Sequence, residues 1–459
     1  MERVSAWKKY KNKQIKEIES LCKAYKDFLN EGKTERECVK VSIKLAEAAG
    51  YRNIKEYIEK GKSLTPGDKI YAPNMGKSLA LFIIGTENIE NGMNILGAHI
   101  DSPRLDVKQN PMLEKEGLAY FDTHYYGGIK KYQWAATPLA IHGVVAKTNG
   151  EVTEVVIGED KKGPVVFVSD LLVHLAGEQM DKKAAKAVEG ENLDIIVGTK
   201  PLSGEEKDAV KANILKILKK KYDMDEADFI SAEFELVPAG RARDAGIDES
   251  MIMAYGQDDR VCAYTSLAAM LKTDGVKKTA CCLLVDKEEI GSVGATGMMS
   301  RFFENTVAEI INLMGDYSEI KLRRCLAASK MLSSDVSAAY DPIYWPYFEK
   351  NSSAYMGNGM VFNKFTGVNG KYNSNDANAE YIAKVRKIME ENDISIQTGE
   401  LGRVDAGGGG TIAYILALYD MEVIDCGVPV LNMHAPYEVT CKEDIYETMK
   451  GYKAFIKNA

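Results

Sequence analysis

Hydrophobic and polar positions change rhythm along this chain, and each change predicts a different kind of element. Residues 4–31 are amphipathic at helical spacing. A second helix is expected from Thr34, because Thr34-x-x-Glu37 is a capping box in which side chain and backbone satisfy each other's free N–H groups. The runs at 79–84 and 94–100 are almost wholly apolar, which suits strands buried on both faces. Between 102 and 240 the pattern is mixed. Short β runs at 153–157 and 165–168 stand beside a charged stretch, 178–226, that reads as exposed and partly helical.

After residue 250 an alternation sets in. Strands are expected at 251–256, 279–285, 325–332, 354–362 and 422–426, and helices at 259–272, 294–314, 375–391, 411–419 and 442–457. Gly407 to Gly410 form a tight turn that opens the helix at 411–419, since no lysine follows to make a phosphate cradle. Alternating β and α with continuous apolar strands means a sheet covered by helices on both faces. The expected architecture is therefore α/β, a mixed sheet sandwiched by helices. It is built from a discontinuous domain, 1–101 with 241–459, interrupted by an inserted domain at 102–240.

Composition adds limits. At 459 residues the chain needs two or three domains, and 45% hydrophobic with 27% charged residues is an ordinary soluble balance. The net charge of -8 argues against nucleic acid or an anionic membrane as the main partner. No run reaches the roughly 20 apolar residues of a membrane span. The first residues lack the apolar core of a signal peptide. The eight cysteines form no C-x-x-C pair, and Cys22, Cys262 and Cys281 sit in apolar runs as buried thiols. A cytoplasmic setting is the expectation.

Chemistry is narrowed by what is missing. There is no H-E-x-x-H, no G-x-S-x-G elbow and no G-x-x-x-x-G-K-[ST] loop. What remains is a set of acids and histidines at predicted strand ends, where open α/β sheets gather their ligand sites. His99 ends one strand, and Asp101 lies two residues on, placed to bond the far nitrogen of a metal-ligating imidazole. Asp258 stands where a strand meets a helix, and a carboxylate there either caps the helix or bridges two cations. Glu288 and Glu289 follow the strand at 279–285. On an extended chain their side chains point opposite ways, so one can bind metal while the other reaches over the metal's water. Asp335 and His434 follow two further strands. Taken singly, each of these reads equally as a core histidine, a cap or a solvated turn. Five strand ends of one sheet are a stronger signal, and two histidines with three or four carboxylates suit two divalent ions such as zinc, cobalt or manganese.

Five ordered segments carry a resemblance: GAHIDSPRLD from Gly97, GQDDR from Gly256, DKEEIGS from Asp286, SSD from Ser333 and MHAPYE from Met433. Together they resemble the M18 family of metallo-aminopeptidases along nearly the whole chain. The resemblance implies a zinc-peptidase-like catalytic domain with an inserted dimerisation domain, acting on peptides with a free N-terminus. It implies that His99 and Asp335 ligate one ion and Glu289 and His434 the other, with Asp258 as the bridge. Glu288 looks like the general acid/base and Asp101 like the acid behind the first histidine. His174 matches a family histidine that reaches a neighbouring subunit's active site, although an apolar-core histidine fits the same local sequence. A homo-oligomer, up to a tetrahedral dodecamer, is also implied. After Ser333-Ser334-Asp335 the chain departs from the family, reading Val336-Ser337-Ala338-Ala339-Tyr340 where many relatives carry a histidine. Lys371 falls where relatives place side-chain-pocket residues and would favour an acidic first residue, but an exposed lysine in a Gly/Asn loop is the plainer reading. Two other readings compete. One is a related α/β metallohydrolase, a deacylase or carboxypeptidase. The other is a non-catalytic assembly or cargo protein that keeps the fold.

Overall fold

The apolar runs form strands, and their alternation decides how they are covered. In Ser78–Ile83, Leu79, Leu81 and Ile83 join one apolar cluster while Ala80 and Phe82 join another. Ala280–Val285 divides the same way, with Cys282 and Leu284 against Cys281, Leu283 and Val285. Period-two side chains that are apolar on both faces need cover on both faces. In this computed structural model, which describes residues 5–315 and 317–459, helices provide it. Residues of Asn12–Glu31, Gln257–Leu271, Ala379–Glu391 and Lys442–Asn458 build the first cluster. Residues of Phe302–Leu313, Glu319–Ala328 and Ala413–Ala417 build the second.

The chain divides into two units by contact. One comprises residues 1–101, 242–433 and 438–459, and the other 102–241 with 434–437. The first holds a nine-stranded sheet. Its order is Arg52–Asn53, Lys69–Asn74, Ser78–Ile83, Ala280–Val285, Asn94–His99, Lys330–Ser334, Glu422–Gly427, Met360–Asn363 and Ile396–Thr398. The four central strands, from Ala280–Val285 to Glu422–Gly427, are mutually parallel, so their carboxyl ends open on one edge. The second unit is β-rich. Its seven-stranded antiparallel sheet includes Arg104–Lys115, Leu118–Tyr126, Leu139–Ala146, Val152–Ile157 and Ala232–Pro238. The charged stretch contains the helix Ala209–Tyr222 and two single-turn helices.

The capping box at Thr34 is present: its hydroxyl accepts from the Glu37 N–H at 3.3 Å, and the Glu37 carboxylate accepts from the Thr34 N–H at 3.1 Å. Several expected elements differ. The first long helix begins at Asn12, after a short 3-10 turn at Ala6–Lys9, and its expected start at residue 4 lies outside the described residues. The expected helix at 294–314 begins only at Phe302. Ser292 and Gly294 have positive φ, and a Cβ at Gly297 would meet the Ser292 carbonyl at 2.3 Å, so this segment is a tight loop. Where a strand was expected at 325–332, a helix runs over Glu319–Ala328 and the strand is Lys330–Ser334. Ser318 caps that helix, and Leu322, Cys325 and Leu326 bury one helical face. The strand expected at 354–362 shrinks to Met360–Asn363, because Gly357 and Gly359 both take positive φ. The helix expected at 411–419 has five residues, Ala413–Ala417. Finally, Met251–Ala254 is not in the large sheet. It pairs in a separate five-stranded sheet with Arg243–Ala245, Glu438–Cys441, Pro429–Leu431 and Ser337–Ala338. No described helix is long and apolar enough to cross a membrane.

Candidate active site

His99 is the last residue of a central strand and only 2% exposed. Its backbone N–H donates to Asp259 Oδ2 at 3.3 Å. Its ring is held at Nδ1, 3.0 Å from the Asp101 carbonyl oxygen and 3.3 Å from Asp101 Oδ1. The far nitrogen, Nε2, points at carboxylates. Asp258 Oδ1 is 3.2 Å away, Glu288 Oε2 3.9 Å and Asp335 Oδ1 4.0 Å.

Asp101 does more than orient this ring. Its two carboxylate oxygens accept the N–H groups of Glu288 and Glu289, each at 3.2 Å. Those glutamates are not on an extended chain as expected. They sit on a one-turn 3-10 helix, Glu288–Ile290, bracketed by positive φ at Lys287 and Gly291. The tight turn lets two consecutive N–H groups converge on one carboxylate, and both side chains stay near the cluster. Hydrogen bonds from donors to an ionised acceptor are among the strong ones, so Asp101 ties the imidazole to both glutamates through one buried group.

Asp258 is set by different means. The strand Met251–Ala254 ends, Gly256 turns with φ +70°, and the helix Gln257–Leu271 starts. The Asp258–Asp259 peptide is cis. The Asp258 N–H donates to Glu438 Oε2 at 2.9 Å. Asp335 follows the strand Lys330–Ser334, and its N–H donates to the Cys426 carbonyl at 2.9 Å.

Two groups of potential ligand atoms lie within 4.8 Å of one another: His99 with Asp258 and Glu289, and His99 with Glu288 and Asp335. Of the residues expected to act together, the structure thus gathers His99, Asp101, Asp258, Glu288, Glu289 and Asp335. His434 belongs to neither group. It has φ +64° and falls with the second unit, its Nδ1 2.8 Å from the Gly128 carbonyl oxygen. His174 lies on the exposed turn Val173–Leu175 of that unit. Lys371 is 3.0 Å from Asp376 and stacks over the Phe365 ring at 4.1 Å. The expectation that all five ligands end strands of one sheet is corrected. Asp258 and His434 follow strands of the five-stranded sheet, while His99, Glu289 and Asp335 follow the large one.

The electrostatics fit a cation. Burial pushes the Asp259 and Asp335 carboxyls well above their ordinary range, and neighbouring anions push Asp335 further. Burial opposes protonation of His99, yet its hydrogen bonds to Asp101 and Asp258 raise its pKa well above normal. One imidazole and four carboxylates around a small buried volume form a hard-to-borderline donor set, and a divalent ion is its natural complement.

Sequence reasoning missed the scaffold beneath these groups. Gln257, Asp258, Asp259 and Arg260 are all buried, at 0–3% exposure. Arg260 donates from Nε to the Ile100 carbonyl at 3.3 Å and from Nη2 to the Lys33 carbonyl at 2.7 Å. Gln257 binds Ile252 and Glu438 carbonyls and accepts from Thr440. The available signal was four polar residues opening a helix that is otherwise apolar.

The family described as "Aminopeptidase I zinc metalloprotease (M18)" matches residues 28–456. A probable M18 family aminopeptidase 1 of Clostridium acetobutylicum is 60% identical over 99% of this chain and 98% of its own length. The Thermotoga maritima relative of the same name is 43% identical over 100% of this chain and 99% of its own. Among solved structures, an M18 aminopeptidase from Thermotoga maritima superimposes with a TM-score of 0.95 at 43% identity, covering 100% of both chains. Aminopeptidase I from Clostridium acetobutylicum gives 0.93 at 57% identity, again covering 100% of both. With the family match, the full-length relatives and the fold agreeing, the chain belongs to the M18 family of zinc metallo-aminopeptidases and is a peptidase.

Proposed function

We propose that the protein removes single residues from the free amino end of peptides with two divalent ions, zinc in the first instance. The observation that carries this is the convergence of His99, Asp258, Glu288, Glu289 and Asp335 on one cluster at the strand ends. His99 and Asp335 would hold one ion and Glu289 the other, with Asp258 between them. The place of His434 as the last ligand rests on the family resemblance, and the Nδ1 contact to Gly128 supports it by leaving Nε2 as the acceptor nitrogen. When bound, such ions acidify water, polarise the scissile carbonyl and fix a free amine.

The protein's own groups do the rest. Asp101 fixes the ring of His99 so that Nε2 faces the carboxylates. Glu288, whose side chain is 15% exposed, takes the proton of the attacking water at its carboxylate and passes it to the leaving amine. A second reading has its own support: Glu288 groups with His99 and Asp335, as a ligand would. Metal content in a Glu288 variant separates the two.

His174 is proposed to act in a neighbouring subunit's site. It sits among Leu171, Leu172, Val173 and Leu175, all 46–78% exposed, and an apolar surface of that kind suits a homo-oligomer contact. A dodecamer is the assembly proposed. All eight cysteines are buried and free, which suits a reducing cytoplasm. Because Lys371 is already paired with Asp376, an acidic first residue is not assigned.

The test is hydrolysis of aminoacyl-p-nitroanilides and their N-acetylated forms, after metal stripping and after reloading with zinc, cobalt or manganese. Turnover of the unblocked series alone, lost on stripping, is expected. Turnover of acetylated substrates would favour a deacylase, and no turnover in any loaded form would favour a non-catalytic protein.

A further inference from the structure

Away from the candidate active site, the start of the terminal helix (Lys442–Asn458) buries a thiol and two carboxylates together. Cys441 is 4% exposed, and Glu443 and Asp444 are 0% exposed. One potential ligand atom of each lies within 4.8 Å of the other two. Acids in the first turn of a helix are usually explained by the helix dipole and free N–H groups. Asp444 has a comparable explanation, since its two oxygens accept from the Gly357 and Gly359 N–H groups at 2.7 Å each.

Glu443 has none. Both of its carboxylate oxygens are buried and make no hydrogen bond among the described residues. The nearest lysines are taken by a third acid: Lys9 and Lys450 lie 3.3 Å and 2.9 Å from Glu447. An ionised carboxylate is costly to bury without a partner, so the geometry calls for a cation or a proton at this place. Cys441 also borders a cavity. This cavity, of about 520 Å³, is lined by Cys441 and Gly357 together with Asp248 and Glu249.

We propose that Cys441, Glu443 and Asp444 form a cation site distinct from the active site, taking one divalent ion of borderline softness such as zinc. The donor types decide the class. A sulfur beside two carboxylates disfavours magnesium and calcium and suits zinc or cobalt. On binding, Cys441 releases its thiol proton to solvent and forms a metal–sulfur bond, as coordinating thiols do. The two Gly N–H bonds hold Asp444 in place. The ion would tie the terminal helix to the segment at 357–359 and so to the strand Met360–Asn363.

Cobalt tests this, because the proposed active-site ligands are nitrogen and oxygen only. Metal-stripped full-length protein is titrated with cobalt(II) and followed by near-ultraviolet absorption, where a cobalt–thiolate charge-transfer band appears. The band is expected in the wild type and in Asp335→Asn, saturating at one ion per chain. Cys441→Ser and Cys441→Ala are expected to lose it, and Glu443→Gln to weaken binding at least about 10-fold. No thiolate band in the wild type at saturating cobalt would overturn the site and leave a carboxyl pair sharing a proton. A band that survives both Cys441 variants, or unchanged affinity in Glu443→Gln, would overturn it equally.

Discussion

Replacing Asp101 by asparagine exchanges one acceptor oxygen for an N–H₂ group at a point where three donors meet. The Glu288 N–H, the Glu289 N–H and the ring nitrogen of His99 lie 3.2 Å, 3.2 Å and 3.3 Å from its carboxylate oxygens. The asparagine oxygen can satisfy one side, while its amide faces a donor on the other. A hydrogen bond to a charged group is worth about 1.5–3 kcal/mol net, and a buried donor left without an acceptor costs about 1–3 kcal/mol. Part of that loss falls on folding and part on the pose of His99, Glu288 and Glu289. If about 1.4–2.8 kcal/mol reaches the metal site, affinity falls about 10- to 100-fold, the usual range for losing a group behind a ligand. The assay is metal-stripped protein titrated against a chromophoric chelator, with kcat/KM followed as zinc is restored. Asp101→Asn is expected to need about 10–100 times more metal for half-maximal activity and to recover much of its kcat at saturation. Unchanged metal dependence together with an unchanged melting temperature would refute the assigned role of Asp101.

Three further outcomes follow from the same structure. Burial raises the Asp425 carboxyl to about 7 despite a hydrogen bond from Thr411, so the folded state holds a proton that the unfolded chain gives up near pH 4. Asp425 should therefore subtract from wild-type stability as pH rises from about 4 to about 7, and Asp425→Asn should make that fall shallower, gaining at most about 4 kcal/mol on the wild type above pH 7; equal pH slopes in urea melts would contradict it. Leu283→Ala, at a fully buried central-strand position, should cost about 2–5 kcal/mol in the same melts, and under about 1 kcal/mol would mean the sheet is not packed as described. Thr34→Ala removes the capping hydroxyl and should cost about 0.5–2 kcal/mol, whereas Thr34→Ser should cost little.

How much of this was legible in the sequence depends on whether a feature is local. The Thr34 capping box and the strands near 79–84 and 94–100 were readable because near neighbours specify them. The strand expected at 325–332 takes in the last turn of the helix Glu319–Ala328, since over residues 325–328 the apolar Cys325 and Leu326 are too few to tell one period from the other. Sheet membership was not readable. Met251–Ala254 looks like any buried strand, and only its long-range pairing with Glu438–Cys441 places it in the small sheet. For the site, residue types and order identified His99, Asp258, Glu288, Glu289 and Asp335, which the fold gathers. The link from Asp101 to the glutamate turn was invisible, because it joins residues 187 and 188 positions apart. Asp259 and Arg260 were passed over for the same reason. Their partners, His99, Ile100 and Lys33, belong to the first hundred residues of the chain.

Glu288→Gln removes the proposed proton carrier and keeps the shape of the side chain, so it separates proton transfer from metal binding. Metal content and steady-state turnover of an unblocked aminoacyl substrate are measured on the same preparation as the wild type. Metal stoichiometry is expected to stay unchanged while kcat falls by at least about 100-fold, the lower range for losing a general base. Wild-type turnover in the variant would contradict the mechanism, and loss of a bound ion would make Glu288 a ligand instead.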